Sequence, residues 1–398
     1  MADNKDKKVL NVPALRFPEF SGEWNTSSIG EQFELYSGNT PSRMDKKQFD
    51  GTINWITSGE LKEHYIADTK EKISDEAVKS NNLKLLSVGT FVIAIYGLEA
   101  DGVRGTCSIT ASESTISQAC MAFISKKDIA NEFLYAWYKK HGNIIGIRYA
   151  QGTKQQNLSY DIIEKFNISY PCIEEQKKLI HFISLIDERI VTQNKIIEKL
   201  ETLIKGIVEL SFNHAATSDT LGCHIRQISQ RNKNGKDLPV LSVSNKHGFV
   251  EQSEQFEDRI IASDDKSNYK IVSINDFAFN PARINVGSIA RLKDKECGIV
   301  SPMYICFRTS KNILPEYLEL FFKTVTFSSE VVKRLEGSVR LCLSYESLCE
   351  IVIPVISIKE QQSLVKMATA FYSKLDVEKS FLRNYQSQKQ YLLSQMFI

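Results

Sequence analysis

The chain of 398 residues contains two copies of one unit. The sequence of residues 150–213 is repeated without a gap at residues 335–398, so that Leu158-Ser159-Tyr160 corresponds to Leu343-Ser344-Tyr345. The repeat continues more weakly upstream, where Phe91 corresponds to Phe277. A duplicated unit presents two versions of one surface, related by pseudo-symmetry, to a partner that itself has two parts.

Each copy has the same order of predicted elements. Short apolar runs separated by Gly, Asn, Ser and Pro predict strands. A short helix, the Leu-Ser-Tyr segment and a strand that ends at Tyr170 or Ile353 follow in each copy. The predicted strands are 53–56, 91–96, 240–243 and 271–274, and the predicted short helices are 132–140 and 315–324.

A very long helix is predicted at the end of each copy. Between Glu174 and Phe212 the sequence has no Pro and only one Gly, and a heptad frame carries apolar residues at three positions. Such a helix extends about 60 Å and needs a partner along its length. We expect the two helices to pack antiparallel; the alternative is that each lies on its own domain. The heptad positions are Leu179, Ile186, Leu200 and Ile207; Phe182, Ile196, Leu203 and Leu210; and Ile183, Ile190, Ile197 and Ile204.

The sequence therefore predicts an α/β (α+β) fold with two domains of duplicated origin. Two long antiparallel helices link them as a coiled-coil spacer, and the whole is pseudo-two-fold symmetric. The predicted segments are domain one (1–170), helix one (171–213), domain two (214–356) and helix two (357–398).

Missing motifs exclude several kinds of enzyme. No two glycines are spaced as Gly-x-Gly, and there is no Gly-x-x-x-x-Gly-Lys phosphate loop, which argues against a nucleotide-binding or methyl-donor site. An Asn-Pro-Pro-aromatic motif for a flipped base is also missing; Asn280-Pro281-Ala282-Arg283 is the nearest sequence. No serine lies in a nucleophile elbow. We therefore predict no catalytic and no cofactor-binding residues.

Cysteine spacing and hydropathy limit which metal sites, thiol states and cellular compartments fit the chain. The eight cysteines form no Cys-x-x-Cys pair and the six histidines are scattered, so no metal site is predicted. We expect reduced, buried thiols and a cytoplasmic protein, because Met1 is followed by a polar run. The longest apolar runs are too short to cross a membrane.

Basic and amide-rich loops recur at matched places in both copies. The net charge of +2 neither requires nor excludes a polyanion, but Arg, Lys, Asn and Gln are the side chains that contact phosphates and base edges. A charged run is often only a solvated face; recurrence in both copies favours DNA binding. The candidate DNA-binding residues are Asn39, Thr40, Ser42, Arg43, Tyr96, Arg104, Lys154, Gln155, Gln156 and Asn157 in copy one, and Arg226, Arg231, Lys233, Arg283, Asn285, Ser288, Arg291 and Arg340 in copy two.

These features together resemble a known family. The duplicated Leu-Ser-Tyr, Glu-Gln and long-helix segments, with Ser37-Gly38-Asn39-Thr40-Pro41-Ser42 and Ile53-Asn54-Trp55-Ile56, are similar to the DNA-specificity subunits of type I restriction-modification systems. The opening residues 12–24 and the segments 283–290 and 300–304 also resemble that family. Copy two departs from the pattern at Asp219-Thr220-Leu221-Gly222, which carries no Thr-Pro-Ser.

The resemblance implies a non-catalytic subunit with two target-recognition domains. They would read the two halves of an interrupted, asymmetric double-stranded DNA target, while the helix pair spaces them and docks two methylation subunits. S-adenosylmethionine for adenine methylation, and ATP with Mg²⁺ on restriction and translocation subunits, would be held by those partners. The alternatives are a coiled-coil adaptor that joins proteins without reading DNA, and a self-contained methyltransferase or nuclease, against which the missing motifs argue.

Overall fold

The computed structural model describes residues 10–97, 105–126, 128–149, 156–213, 217–252, 266–337 and 340–398. The chain forms two compact units. Unit one contains residues 1–193 and 381–398, and unit two contains residues 194–380. Each unit thus combines one copy of the repeat with part of both long helices.

Unit one contains a five-stranded sheet of order β2-β10-β6-β8-β4 and a smaller sheet of order β5-β3-β9. The strands are β1 (Asn25–Ser28), β2 (Phe33–Ser37), β3 (Ile53–Ile56), β4 (Tyr65–Ile66), β5 (Lys72–Ile73), β6 (Phe91–Ala94), β7 (Tyr96–Gly97), β8 (Cys107–Thr110), β9 (Ser114–Ile116), β10 (Cys120–Ser125), β11 (Gln156–Asn157) and β12 (Asn167–Tyr170). The helices before the first long helix are α1 (Ile29–Gln32), α2 (Asp75–Ser80), α3 (Asn131–Tyr149) and α4 (Tyr160–Glu164). Helix α3 extends beyond the predicted 132–140.

Unit two contains two four-stranded sheets, of order β14-β21-β18-β19 and β16-β15-β20-β17. The strands are β13 (Ser218–Thr220), β14 (Ile225–Ile228), β15 (Val240–Ser244), β16 (Gly248–Glu251), β17 (Lys270–Ser273), β18 (Phe277–Phe279), β19 (Ile289–Arg291), β20 (Cys297–Val300), β21 (Ile305–Thr309) and β22 (Val352–Pro354). In chain order after the first long helix, α5 (Ile173–Asn213), the helices are α6 (Pro315–Phe321), α7 (Val325–Lys333), α8 (Tyr345–Cys349) and the second long helix, α9 (Ile358–Met396).

The duplication is visible in the sheet topology. Strands β2-β10-β6-β8 of unit one correspond to β14-β21-β18-β19 of unit two, and β5-β3-β9 correspond to β16-β15-β20. Phe91 is paired in register with Phe123, and Phe277 with Phe307. All four rings are buried, so the same aromatic pair lies at the centre of each core.

The Leu-Ser-Tyr repeat begins a short helix in each unit. Leu158 and Leu343 are fully buried, and the Tyr that follows each of them is the first residue of α4 or α8. The hydroxyl of Ser344 accepts a hydrogen bond from the backbone of Ser347, as expected of a helix N-cap.

The Glu-Gln repeat fastens each long helix to its own domain. The Gln176 side chain is fully buried; its Oε1 accepts from the amide of Ala130 at 3.0 Å, and its Nε2 donates to the carbonyls of Asp128 and Pro171. Gln361 makes the corresponding three bonds in unit two. Because a buried amide needs its partners, Gln at this position fixes the loop before α3 or α6 against the helix.

The long helices run in opposite directions. Asp187 of α5 pairs with Lys389 of α9 in unit one, and Glu201 pairs with Lys379 in unit two, so the partner number falls as the α5 number rises. The predicted antiparallel pair is confirmed. Helix α5 also packs on its own domain, since Leu179 belongs to the core cluster of unit one.

The predicted seam of α5 is wrong for three of the four residues at its second position, whereas the fourth, Phe182, packs against the core of unit one. Leu179, Ile183, Ile186, Ile197 and Ile204 are buried. In contrast Ile196, Leu203 and Leu210 are 39%, 51% and 56% exposed. Domain and partner helix cover only one side of the wide apolar stripe, so the position occupied by these three residues remains at the surface.

Candidate nucleic-acid interface

The candidate loops leave one edge of the main sheet in unit one. Strands β2 and β6 are both antiparallel to β10, where Ser37 faces Met121 and Ala94 faces Cys120. The two strands therefore end side by side at the start of β10. The chain continues from them into residues 38–43 and 95–97, so the structure brings these two candidate segments to the same edge.

The first loop is held by backbone and side-chain contacts. A side chain at Gly38 would place its Cβ 1.8 Å from the carbonyl oxygen of Ile116, so only glycine fits there. The side-chain Oδ1 of Asn39 accepts a hydrogen bond from the backbone amide of Thr40 at 2.8 Å. The backbone carbonyl of Asn39 accepts one from Trp55 Nε1 at 3.2 Å. Ser42 lies exposed beyond this anchored turn.

Arg43 lies at the end of this loop on an aromatic surface. Its guanidinium is 4.8 Å from the ring centroid of Phe49 and pairs with both carboxylate oxygens of Glu71. The hydrogen bond from Arg43 lowers the pKa of Glu71, and Glu71 raises the pKa of Arg43. More than half of the Arg43 side chain remains exposed, so this cation is oriented before any ligand binds.

Two candidate segments distant in sequence meet in unit one. Strand β7 pairs antiparallel with β11, which places Tyr96 opposite Asn157 and Gly97 opposite Gln156. The amide of Leu158 donates to the carbonyl of Ile95 at 2.8 Å and fixes this junction. Candidate residues Arg104, Lys154 and Gln155 lie outside the described residues.

Unit two repeats this arrangement with different side chains. Strands β14 and β18 both end at the start of β21, where Ile228 faces Cys306 and Phe279 faces Ile305. The amide of Leu343 donates to the carbonyl of Pro281 at 3.0 Å, as that of Leu158 does in unit one. The exposed candidates beyond these strand ends and beside this junction are Arg231, Lys233, Arg283, Asn285 and Arg340.

Three further candidates of unit two are placed differently. Arg226 is exposed within β14. Ser288 is buried and donates from its hydroxyl to the carbonyl of Val243 at 3.1 Å, which is a structural bond. The side chain of Arg291 is only 10% exposed and is bound by Glu316 and Glu319. A DNA contact by Arg291 stays a prediction, and it would require those carboxylates to release the guanidinium.

Two surface features of unit two were not predicted from the sequence. One is the turn between β15 and β16, residues 245–247, which lies beside the loop that carries Asn285. The sequence feature that indicates this turn is the polar run from Ser244 to Gly248, which lies between two apolar runs. The other is the exposed stripe of α5 formed by Ile196, Leu203 and Leu210, which the heptad count assigned to the helix seam.

Within the described ranges no group of three or more His, Cys, Asp or Glu side chains is arranged to hold a metal ion. All eight cysteines are free, but the expectation that they are buried is only partly right, because Cys172 and Cys223 are exposed at the ends of secondary-structure elements. Burial raises the pKa of Cys120 to about 12. None of the helices in the part of the chain that the structure describes has the length and hydropathy of a bilayer span.

Comparison with known proteins shows which family the chain resembles. Residues 21–202 match the sequence profile described as the type I restriction modification DNA specificity domain. The chain is 28% identical over 185 residues to the type I restriction enzyme MjaIX specificity subunit of Methanocaldococcus jannaschii, which covers 45% of this chain and 42% of that protein. It is 27% identical over 213 residues to the EcoR124I/EcoR124II specificity subunit of Escherichia coli, which covers 52% of this chain and 48% of that protein. The matched region is thus about half the length of each relative.

Solved structures share the fold. The chain is similar to the crystal structure of the type I restriction-modification system S subunit from M. genitalium, with a TM-score of 0.57, 17% identity, and coverage of 97% of this chain and 99% of that chain. A second similar chain comes from structural work on complex assembly and conformational transition of the type I R-M system, with a TM-score of 0.61, 13% identity, and coverage of 94% and 97%. The mixed α/β architecture predicted from the sequence is confirmed. Residues 21–202 are thus similar to the type I restriction modification DNA specificity domain, and the curated relatives that match about half of the chain are type I specificity subunits.

Proposed function

We propose that the chain is the DNA-reading subunit of a type I restriction-modification complex. Each unit reads one half of a bipartite, asymmetric double-stranded target, and the chain catalyses no reaction itself. One observation carries the proposal: the two units hold equivalent loops with equivalent backbone bonds, at Leu158 and Leu343, but present different side chains. A constant frame with variable polar side chains is what reading two different half-sites requires.

The exposed stripe of α5 supports a protein partner. Ile196, Leu203 and Leu210 form a row along one side of the helix, and single exposed apolar residues are common while aligned rows are not. We assign this row to the docking of methylation subunits. Those partners would bring S-adenosylmethionine, and restriction and translocation subunits would join through them with ATP and Mg²⁺. Since the substrate is chromosomal DNA, we place the complex in the cytoplasm.

An exchange of one domain tests the proposal. Residues 31–157 contain the candidate loops of unit one. Replacing them with the same segment of another family member, in a host that carries the complete system, changes one half of the methylated sequence and leaves the other half unchanged. Methylome sequencing reports both halves in one experiment. If both halves change, or if neither does, the assignment of one half-site to each unit is wrong.

The adaptor alternative makes a different prediction. A protein that only joins partners shows no preference among duplex sequences. Selection from a random duplex library by the full chain together with its methylation subunits distinguishes the two functions, because only a reader enriches a defined sequence.

A further inference from the structure

We propose that the turn Asn245-Lys246-His247 is a base-reading element of unit two. This inference rests on the proposed DNA-reading function and names a contact within it. The turn joins β15 to β16, and Ser244 is paired with Gly248 at its base. A two-stranded ribbon of this kind fits the major groove of B-form DNA, where each base pair presents a distinct pattern of donors and acceptors.

The turn is fixed before any ligand arrives. Gly248 has a φ of 69°, the left-handed conformation that closes three-residue hairpin connections. The hydroxyl oxygen of Ser244 accepts from the amides of Lys246 and His247, both at 3.3 Å. Because the backbone is already ordered, little conformational entropy is lost when the tip contacts a base.

The side chains at the tip are available to a ligand. Asn245, Lys246 and His247 are all exposed, and within the described ranges none of the three side chains is engaged by another protein group. In contrast, Arg291 on neighbouring β19 is not available to a ligand, because two carboxylates bind its guanidinium. Asn pairs with adenine through N6 and N7, and Lys donates to O6 and N7 of guanine. The tip therefore offers free purine-reading groups.

The tip is continuous with the loop predicted to bind DNA. The Cβ of Asn245 lies 3.8 Å from the position that a Cβ would take at Gly287, between the candidates Asn285 and Ser288. Behind the hairpin is a cleft of about 620 Å³ with an excess of cations. Its charged lining consists of Lys246, Arg291, Lys293, Lys295 and Lys323 against Glu251, Asp294 and Glu319, and Glu316 also pairs with Arg291, so five cations meet four carboxylates. This excess favours the phosphates that flank a base contacted by the tip.

The corresponding place in unit one carries different chemistry. Strand β3 occupies the position of β15, because it pairs in parallel with β9 as β15 does with β20. A 3₁₀ helix, Ser58–Glu60, follows β3. The carboxylate of Glu60 accepts hydrogen bonds from the backbone amides of Thr57 and Lys70, both at 2.8 Å, so it is bound to its own backbone. Different residues at one structural position suit a target whose halves differ.

The test is selection from a random-sequence duplex DNA library by the full chain in complex with its methylation subunits. The triple variant Asn245→Ala, Lys246→Ala, His247→Ala is compared with Lys359→Ala, which removes an exposed lysine at the start of α9 in the same unit. The triple variant is expected to lose base preference at one to three adjacent positions of one half-site, with about tenfold weaker binding per lost base contact. The other half-site and the Lys359→Ala profile stay unchanged.

A second variant separates reading from structural support. Asn245→Asp keeps the shape of the side chain but removes its amide donors, so a preference for adenine should change toward cytosine, whose N4 donates to a carboxylate. If the triple variant folds as the wild type does and keeps the wild-type base preferences, the tip does not read DNA, while the proposed function still stands. If the wild-type complex enriches no sequence at all, both proposals are wrong.

Discussion

Removing the buried amide of Gln361 should destabilise unit two strongly. Its Oε1 accepts from the Leu314 amide at 2.8 Å, and its Nε2 donates to the carbonyls of Asn312 and Ile356 at 3.1 Å and 2.9 Å. Gln361→Leu keeps the volume but leaves one donor and two acceptors buried without partners. Each such group costs about 1–3 kcal/mol, and the leucine recovers part of this through its apolar contacts. We expect a loss of about 2–4 kcal/mol in the free energy of unfolding.

The distribution of tryptophan supplies an internal control. All three tryptophans, Trp24, Trp55 and Trp137, lie in unit one, so their fluorescence reports unit one while circular dichroism reports both units. In urea, Gln361→Leu should lower the unit-two midpoint by about 1–2 M, from the usual denaturant dependence, with little change in the tryptophan transition. The exposed neighbour provides the matched variant Gln362→Leu, which should behave as the wild type. Equal midpoints for the two variants would refute the role of these buried hydrogen bonds.

Three further outcomes are expected. Phe212→Ala should cost about 3–5 kcal/mol, because this ring is buried 4.8 Å from the ring centroid of Tyr317, whereas Leu210→Ala on the exposed side should cost less than about 0.5 kcal/mol; equal urea midpoints would contradict this. Leu203→Asp should leave the unfolding transition in place but weaken assembly with methylation subunits by at least about tenfold, if aligned apolar contacts are lost; complete assembly in light scattering would contradict it. Burial lowers the pKa of His141 to about 4 from 6.5, so the unfolded chain binds a proton that the folded chain does not, and the stability of unit one should fall as pH is lowered from about 6.5 to 4. His141→Gln should reduce that pH dependence in tryptophan-monitored urea titrations, and identical pH profiles would count against the assignment.

The repeat allowed much of the architecture to be predicted. Strand 53–56 begins and ends as expected, and the long helix predicted over residues 171–213 begins two residues later, at Ile173, and ends at Asn213. Such features depend on local patterns, namely apolar periodicity and the absence of Pro. The predicted helix 315–324 instead ends at Phe321, because Thr324 adopts an extended conformation and its hydroxyl caps α7.

Features that depend on distant partners could not be predicted. Heptad spacing places Leu203 on the same wide stripe as Ile204, but only the packed structure leaves one exposed and buries the other. In the same way, Arg291 and Arg283 are both basic residues in one candidate segment, while only Arg291 meets carboxylates from a helix about 25 residues later in the sequence. Charge composition identifies candidate cations, and tertiary contacts decide which of them remain free for the proposed DNA contacts.

The core of each unit includes an aromatic residue from the end of the other copy's long helix. Phe397 packs against Phe133 in unit one at 5.2 Å, while Phe212, its partner in the repeat, packs against Tyr317 in unit two at 4.8 Å. A fragment of residues 1–213 lacks Phe397 but retains Phe212. Two such fragments can complete each other, because the Phe212 end of one supplies the missing aromatic contact of the other in a symmetric dimer. We therefore expect the fragment to sediment as a dimer and, with methylation subunits, to select a palindromic target made of two equal halves. Phe212→Ala in the fragment should weaken that dimer, whereas Leu210→Ala should not. A fragment that sediments as a folded monomer would show that unit one is stable without a helix end from a second copy.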